Sequence, residues 1–263
     1  MATKAAPILE RILQSRRAMV ADFKADGGEA RVEAALATAP PPRDFRDALR
    51  RRGVALIAEC KQRSPSGGLL QPSYDAVSLA RRYAANGAAA LSVLTEPEFF
   101  GGSVDHLKAV RAAVDLPLLC KDFVVDGAQI RVARAMGADA ILLIVAVLDD
   151  ADLLRLQRLA GELGMTAVVE VHSENEVERA LRAGAATIGI NNRDLTRMKT
   201  DRMTTARLRP LIPPDIAVIS ESGIEDRADV EELKRLGVDA VLVGESLVRA
   251  ADLEAKVREL AGR

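Results

Sequence analysis

A unit of about fifty residues recurs along this chain and restricts its fold more than any other feature. Four times a helical pattern runs into a glycine and then into an apolar strand: NGAAALSVLT at Gly87, MGADAILLIV at Gly137, AGAATIGIN at Gly184 and LGVDAVLVG at Gly237. The glycines are 50, 47 and 53 residues apart. Each stands just past a helix, where a left-handed backbone is needed and glycine adopts it without a Cβ penalty. Between these units lie four more apolar runs, at 54–58, 116–120, 166–171 and 216–220. Amphipathic patterns at 103–114, 149–163, 173–183 and 225–236 read as helices between strands. Short apolar strands alternating with helices imply a parallel sheet with right-handed crossovers. Eight such units predict an α/β fold, a single (β/α)8 TIM barrel that repeats every second strand. The rival is an open doubly wound sheet, but its usual G-x-G-x-x-G turn occurs nowhere in the chain.

Composition narrows the classes of partner. The 263 residues are 49% hydrophobic and 29% charged, with net charge −1, which suits a soluble globular protein with a sizeable core. The near-neutral balance offers no footprint for nucleic acid or for an acidic membrane. With no Trp, two Tyr and five Phe, the chain lacks the stacking platforms of single-strand binders. No apolar run approaches the roughly 18 residues of a membrane span. Cys60 and Cys120 each precede a lysine at a strand end and read as buried, reduced thiols; no His or Cys cluster beside them suggests a metal or a disulfide.

Residues 1–50 form a helical extension ahead of a barrel domain at 51–263. Ile8, Leu9, Ile12, Leu13, Met19, Val20 and Phe23 have helical spacing, while Glu10 and Asp22 argue against a transit peptide. No secretory apolar segment is present, so the expected location is cytoplasmic. Gly27-Gly28 and Pro40-Pro41-Pro42 break the extension into pieces, which would either plug the barrel bottom or cap it for solubility, or else form a lid over the strand C-termini.

In such barrels, polar residues at strand C-termini carry the chemistry. The odd strands all end in ionisable residues: Glu59 and Lys61, then Lys121, then Glu170 followed by His172, then Glu221 followed by Ser222. Asn191 and Arg193 add to them from strand 6. Strand parity puts Glu59 on the face of Ile57, Lys121 on that of Leu119, Glu170 on that of Val168 and Glu221 on that of Ile219. All four can therefore face the interior, with Asp122 on the opposite face from Lys121. An ion-pair network at the rim is the plain alternative. Two lysines and three glutamates gathered in one mouth fit acid–base catalysis better, because clustered buried charges cost stability and drive pKa values apart.

A second signal points to phosphate. Ser222-Gly223-Ile224 follows strand 7 and Gly244-Glu245-Ser246 follows strand 8, the two loops that hold phosphate in many barrels. Glycines serving only tight turns are the alternative. Glu245 is an awkward neighbour for an anion, and its amide rather than its carboxylate is expected to face the ligand. The turn Ser64-Pro65-Ser66-Gly67-Gly68 after strand 1 offers further hydroxyls and amides. His106, in the helix after strand 2, reads as a surface residue, and the charge-rich helices at 225–236 and 249–263 read as solvated faces.

With these residues in place, the chain resembles the indole-3-glycerol phosphate synthase family of tryptophan biosynthesis. The matching segments are IAECKQRSPSGG (57–68), LSVLTEPEFFGGS (91–103), LPLLCKDF (116–123), VVEVH (168–172), IGINNRDL (188–195), ISESGI (219–224) and LVGESL (242–247). The likeness runs through essentially the whole chain, and the length implies one barrel with no fused second enzyme. It implies a lyase that closes 1-(2-carboxyphenylamino)-1-deoxyribulose 5-phosphate to indole-3-glycerol phosphate, CO₂ and water, with no cofactor and no metal. Lys121 resembles the general acid. Glu170, with Glu59 or Lys61, suits the dehydration. Lys61 also resembles the residue that meets the substrate carboxylate, Asn191 lies near the sugar hydroxyls, and Glu221 supports the polyol or a lysine. Phe123, Leu142 and Leu195 would form the apolar wall for the anthranilate ring, with Arg193 and Ser222 also on the substrate. Ser64, Gly223, Gly244 and Glu245 would hold phosphate. For His172 a place at the mouth with a positioning or rim role is expected rather than a catalytic one. The partner is then a small phosphorylated molecule, and the protein a monomer or weak homo-oligomer. A phosphoribosylanthranilate-type aldose–ketose isomerase is the rival enzyme, although it leaves the Glu59/Lys61 pair unexplained. A non-enzymatic barrel that binds a phosphorylated metabolite is the rival outside catalysis.

Overall fold

The computed structural model describes residues 8–50, 53–65, 67–195 and 197–263; Ser66 of the turn and the first seven residues of the extension lie outside them. Eight parallel strands close into a barrel: β1 Ala55–Cys60, β2 Ala90–Leu94, β3 Leu118–Lys121, β4 Ala140–Ile144, β5 Thr166–Val171, β6 Thr187–Asn191, β7 Ala217–Glu221 and β8 Ala240–Val243. Each strand pairs with its neighbours in sequence, and β1 pairs with β8 to close the ring. The expected (β/α)8 architecture is therefore the observed one.

The helices are α1 Ile8–Ala25, α2 Gly28–Leu36 and α3 Phe45–Leu49 in the extension, then α4 Ala76–Ala85, α5 Pro97–Phe100, α6 Val104–Ala113 and α7 Gly127–Ala135. They continue with α8 Asp150–Glu162, α9 Glu174–Arg182, α10 Met203–Leu208, α11 Arg227–Arg235, α12 Glu245–Val248 and α13 Leu253–Ala261. Local sequence sets the helix ends. Asp75, Ser103, Asp126, Asp149, Ser173, Asp226 and Asp252 each accept a first-turn amide as N-cap, which stabilises a helix by about 1 kcal/mol. The four repeat glycines, Gly87, Gly137, Gly184 and Gly237, have φ of 111°, 96°, 78° and 79°, as the C′ reading requires.

The strand interior is layered. Alanines at the strand starts (Ala55, Ala90, Ala140, Ala217, Ala240) leave a floor wide enough for Phe45 and Leu49 of α3, both fully buried in the same cluster. Above them Ile57, Leu119, Leu142, Val168, Ile219 and Leu242 fill the middle. The alternate residues, such as Leu56, Leu91, Ile141 and Val169, pack outward in a larger cluster under the helices. The next interior layer, at the C-terminal ends, belongs to the charged residues.

The extension touches both ends of the barrel. Arg43 Nη1 donates to Val114 O and Leu116 O at 2.9 Å, just before β3. Arg46 and Arg50 donate to Asp215 O, just before β7, at 2.8 and 2.9 Å. These bonds seat α3 at the bottom. At the other end, Leu9 and Ile12 of α1 join the interior cluster with Phe99 and Phe123, and Arg16 pairs with Asp122 past the end of β3. Plug and rim contacts, alternatives in the sequence, thus coexist.

Cys60 and Cys120 are buried free thiols. Burial pushes both up, Cys120 to about 12. His106 is half-buried rather than on the surface: its ring packs edge-on against Tyr74 with centroids 5.3 Å apart, and its Nδ1 is buried without a hydrogen-bond partner among the described residues. Tyr74 lies in the segment before α4, so the cover over His106 comes from residues that its own helix does not reveal.

Candidate active site

Every residue that the sequence assigns to catalysis, substrate or phosphate lines one cavity of about 600 Å³ at the C-terminal ends of the strands. Its base is an ionic layer. Lys61 Nζ lies 2.7 Å from Glu59 Oε1. Lys121 Nζ stands between two carboxylates, 2.9 Å from Glu221 Oε2 and 3.1 Å from Glu170 Oε2. Asn191 orders the next position: its Nδ2 donates to Glu170 Oε1 at 3.2 Å, and its Oδ1 accepts from Arg193 N at 2.9 Å. The three glutamates are nearly inaccessible to solvent.

This crowding sets the protonation states. Burial opposes charge on Lys121, but Glu221, Glu170 and Glu59 together hold its ammonium well above the ordinary lysine range. Burial also works against Glu59, yet Lys61 and Lys121 outweigh it and keep that carboxyl below its usual value. At Glu221 burial prevails over Lys121, and the pKa rises to about 7. Its Oε1 is buried with no partner among the described residues. The layer therefore joins a permanent cation to a carboxyl that titrates near neutrality.

Two glycines make room for this layer. A Cβ on Gly189 would stand 2.5 Å from Glu221 Oε1. One on Gly244 would stand 2.6 Å from Glu59 Oε1 and 3.1 Å from Lys61 Nζ. Backbone therefore approaches the carboxylates at distances no side chain permits.

Above the ions the cavity becomes apolar. Phe123, Leu142 and Leu195 line it as expected. Phe100 joins them, with its ring centroid 5.9 Å from that of Phe123. The segment TEPEFF carries its own explanation. Glu96 is fully buried and caps α5, accepting from Glu98 N, Phe99 N and Phe100 N at 2.8–3.0 Å, which fixes the two phenylalanines. An acid followed at once by proline and an aromatic pair was the available signal.

The mouth carries the phosphate candidates. Ser222 and Gly223 both have left-handed φ, 70° and 77°. Ser222 is the strained one, since a Cβ disfavours that region. Its carbonyl accepts from Asn192 Nδ2 at 2.9 Å, and Asn192 in turn accepts from Thr205 N and Oγ1. Asn192 is thus a support that sequence reasoning missed; in the doublet Asn191-Asn192 the first side chain faces in and the second faces out. Ser246 Oγ donates to Ile224 O at 2.9 Å and ties the β7 and β8 loops together. Ser64 Oγ accepts from Gly67 N at 3.0 Å in the β1 turn. Glu245 turns its carboxylate to Arg249, as its awkward charge demands.

His172 is not among the described residues lining the cavity; its Nδ1 meets Asn191 O at 2.7 Å. Asp122 faces away from Lys121 toward Thr95 and Arg16. This buried network links α1 to the rim.

Fold and site together define a (β/α)8-barrel enzyme whose acid–base groups converge at the C-terminal face of the strands. Comparison of the sequence with known proteins identifies which one. Residues 9–260 match the family model described as indole-3-glycerol phosphate synthase. The chain is 50% identical to the indole-3-glycerol phosphate synthase of Roseiflexus sp. (strain RS-1) over 264 residues, covering 97% of this chain and 98% of that one. It is 50% identical to that of Mycobacterium ulcerans (strain Agy99), covering 97% and 94%. The chain belongs to the indole-3-glycerol phosphate synthase family, decarboxylating lyases of tryptophan biosynthesis. Among solved structures, 3-hexulose-6-phosphate synthase from Salmonella typhimurium shares the fold with TM-score 0.66 at 17% identity, over 80% of this chain and 97% of that one. Thiamine phosphate pyrophosphorylase from Pyrococcus furiosus does so with TM-score 0.62 at 19% identity, over 83% and 96%.

Proposed function

We propose that this cavity performs the ring closure of 1-(2-carboxyphenylamino)-1-deoxyribulose 5-phosphate with the residues named above. The observation that carries the reading is the Lys121 ammonium, held between Glu170 and Glu221 in the buried layer. A ring carbon attacks the ketone, and the developing alkoxide needs a proton or a cation. Lys121, charged throughout the neutral range, supplies it. The carboxylate then leaves as CO₂ and restores the electron pair of the ring. In the last step a hydroxyl leaves as water while a proton is lost, and Glu170 serves that transfer with the Glu59–Lys61 pair beside it. Asn191 fixes Glu170 through its amide. Phe123, Leu142 and Leu195, with Phe100, hold the aromatic ring in a desolvated wall. Lys61 meets the substrate carboxylate, and Arg193 and Ser222 hold the polyol. Ser64, Gly223, Gly244 and the amide of Glu245 take the phosphate; Gly223 N has no acceptor among the described residues.

We assign α1 the role of a lid, on the strength of its contacts at the rim. The protein works in the cytoplasm as a monomer or weak homo-oligomer. Buried free thiols fit a reducing compartment. No helix among the described residues is long and apolar enough to cross a membrane. The large exposed apolar side chains Met19, Leu69, Leu154, Met203 and Leu211 stand on different elements.

Indole fluorescence tests the reading directly. The chain has no tryptophan, so emission that grows on mixing with substrate reports product alone. Lys121→Ala should lower its rate by about two to four orders of magnitude. A variant rate equal to that of the wild type would remove Lys121 as the acid.

A further inference from the structure

Arg249 lines the same cavity, yet the roles assigned above leave it unused. It follows α12, one turn after Glu245, and its Nε donates to Glu245 Oε1 at 2.9 Å. The guanidinium reaches over the turn after β1: Nη2 lies 3.5 Å from where a Cβ on Gly67 would stand, beside Ser64 Oγ at 2.9 Å from the same point. Arg249 therefore bridges the Gly244–Glu245 loop and the Ser64 turn, two of the segments proposed for phosphate.

The charges there pose a problem that Arg249 resolves. Glu225 and Glu245 both line the cavity, so a dianion entering it meets negative charge. Of the other cations lining the cavity, Lys61 and Lys121 are engaged with buried carboxylates, Arg202 with Gly223 O and Asp229, and Arg193 is assigned above to the polyol. The Arg249–Glu245 pair is different. Its side chains are 56% and 36% exposed, and an exposed pair of this kind is held weakly. A phosphate group carries more charge than a carboxylate and matches the guanidinium fork with two oxygens.

We infer that Arg249 is a phosphate-binding residue that exchanges partners. In the free enzyme it rests on Glu245. When the phosphorylated substrate enters, the guanidinium turns to the phosphate and Glu245 swings to solvent. Glu245 is then a placeholder that competes with the ligand. The inference rests on the phosphate site proposed above and adds a side-chain cation to it.

The test measures KM, kcat and inhibition by inorganic phosphate for the wild type, Arg249→Met, Arg249→Lys, Glu245→Gln and Gly223→Ala, each checked for folding by circular dichroism. Arg249→Met should raise KM and the phosphate inhibition constant about tenfold, with kcat within about twofold. Arg249→Lys should fall between, because charge persists without the fork. Glu245→Gln should act in the opposite sense and lower both constants about two- to threefold, since the competitor is gone. A guanidinium that merely staples α12 through Glu245 predicts the same sign for both changes, and that result overturns the exchange. So does an Arg249→Met enzyme with wild-type constants. Gly223→Ala separates the two readings, since its Cβ would sit 2.9 Å from Thr200 Cγ2 on a φ of +77°. If Gly223→Ala weakens phosphate binding while Arg249→Met does not, the inference about Arg249 fails alone. If neither variant matters, the phosphate site itself is misplaced.

Discussion

Neutralising Asp122 should loosen α1 more than removing the arginine it binds. The pair joins residues 106 apart in sequence, Arg16 Nη2 to Asp122 Oδ2 at 3.0 Å, with side chains only 8% and 5% exposed. The partners are unequal. Asp122 also accepts from Thr95 Oγ1 and from Phe123 N, each at 2.7 Å, and burial has already moved its pKa upward. Arg16 has only Met19 Sδ besides, at 3.0 Å, and its Nε is buried without a partner among the described residues. Asp122→Asn keeps the shape and leaves a buried guanidinium uncompensated, which costs about 3–5 kcal/mol. Arg16→Met leaves a carboxylate with two donors that can also take up a proton, and costs about 1–2 kcal/mol. The double variant should resemble Arg16→Met, because the stranded charge is gone. Since α1 lies at one end of the described chain, the effect should appear first as local opening. Amide exchange in α1 should accelerate about a hundredfold or more in Asp122→Asn, with a smaller change in the barrel strands. Urea unfolding followed by circular dichroism reports the global part. If Arg16→Met proves the costlier single change, or if the two singles simply add, stranded charge is not what holds the helix and the reasoning fails.

Gly189→Ala places a Cβ 2.5 Å from Glu221 Oε1 and 3.4 Å from Val168 Cγ1, and must displace the carboxylate that holds Lys121. Turnover should fall at least about tenfold together with the melting temperature; unchanged turnover would mean that Glu221 is not needed where it stands. Glu221 should also set a pH dependence of stability. Its folded pKa is raised from 4.5 to about 7, so below 4.5 both states hold the proton, and between the two values only the folded state does. Stability should therefore decline as pH climbs through that window, by on the order of 3 kcal/mol, and level off above it. Glu221→Gln, neutral at every pH, should flatten the curve in urea titrations at pH 4.5–7.5, and an identical slope in both proteins would contradict the assignment.

The barrel was legible because its period is local. Each glycine that ends a helix, each capping Asp or Ser and each apolar run carries its own signal within a few residues. The interior position of Glu59, Lys121, Glu170 and Glu221 was legible for a related reason: alternation along a strand is a two-residue rule, and the apolar partners Ile57, Leu119, Val168 and Ile219 indeed fill the layer below. What escaped depends on neighbours distant in sequence. Arg16 finds Asp122 across more than a hundred residues. Arg249 reaches Gly67 only because closure of the ring sets β8 beside β1. The space for Glu221 Oε1 depends on Gly189, one strand over, where the register pairs Glu221 with Asn191. The two-residue hairpins at Arg63–Ser64 with Gly68–Leu69, and at Arg193–Asp194 with Lys199–Thr200, are too short for any periodicity to reveal.

The same layering explains how the fold tolerates its site. Three carboxylates and two ammonium groups in one buried layer are poor material for stability, and similar volumes of aliphatic side chain would serve folding better. The barrel confines them to its last interior layer. Beneath them lie a closed aliphatic layer and an alanine floor sealed by Phe45 and Leu49. Cohesion and chemistry thus occupy different depths of the same eight strands. A strand can end in a charge because its earlier residues already hold it in place, and α3 seals the floor beneath them. Substitutions in the floor, such as at Phe45, should therefore act on unfolding and leave the turnover of the folded enzyme intact, whereas substitutions in the ionic layer should change turnover and, at Glu221, the pH dependence of stability as well.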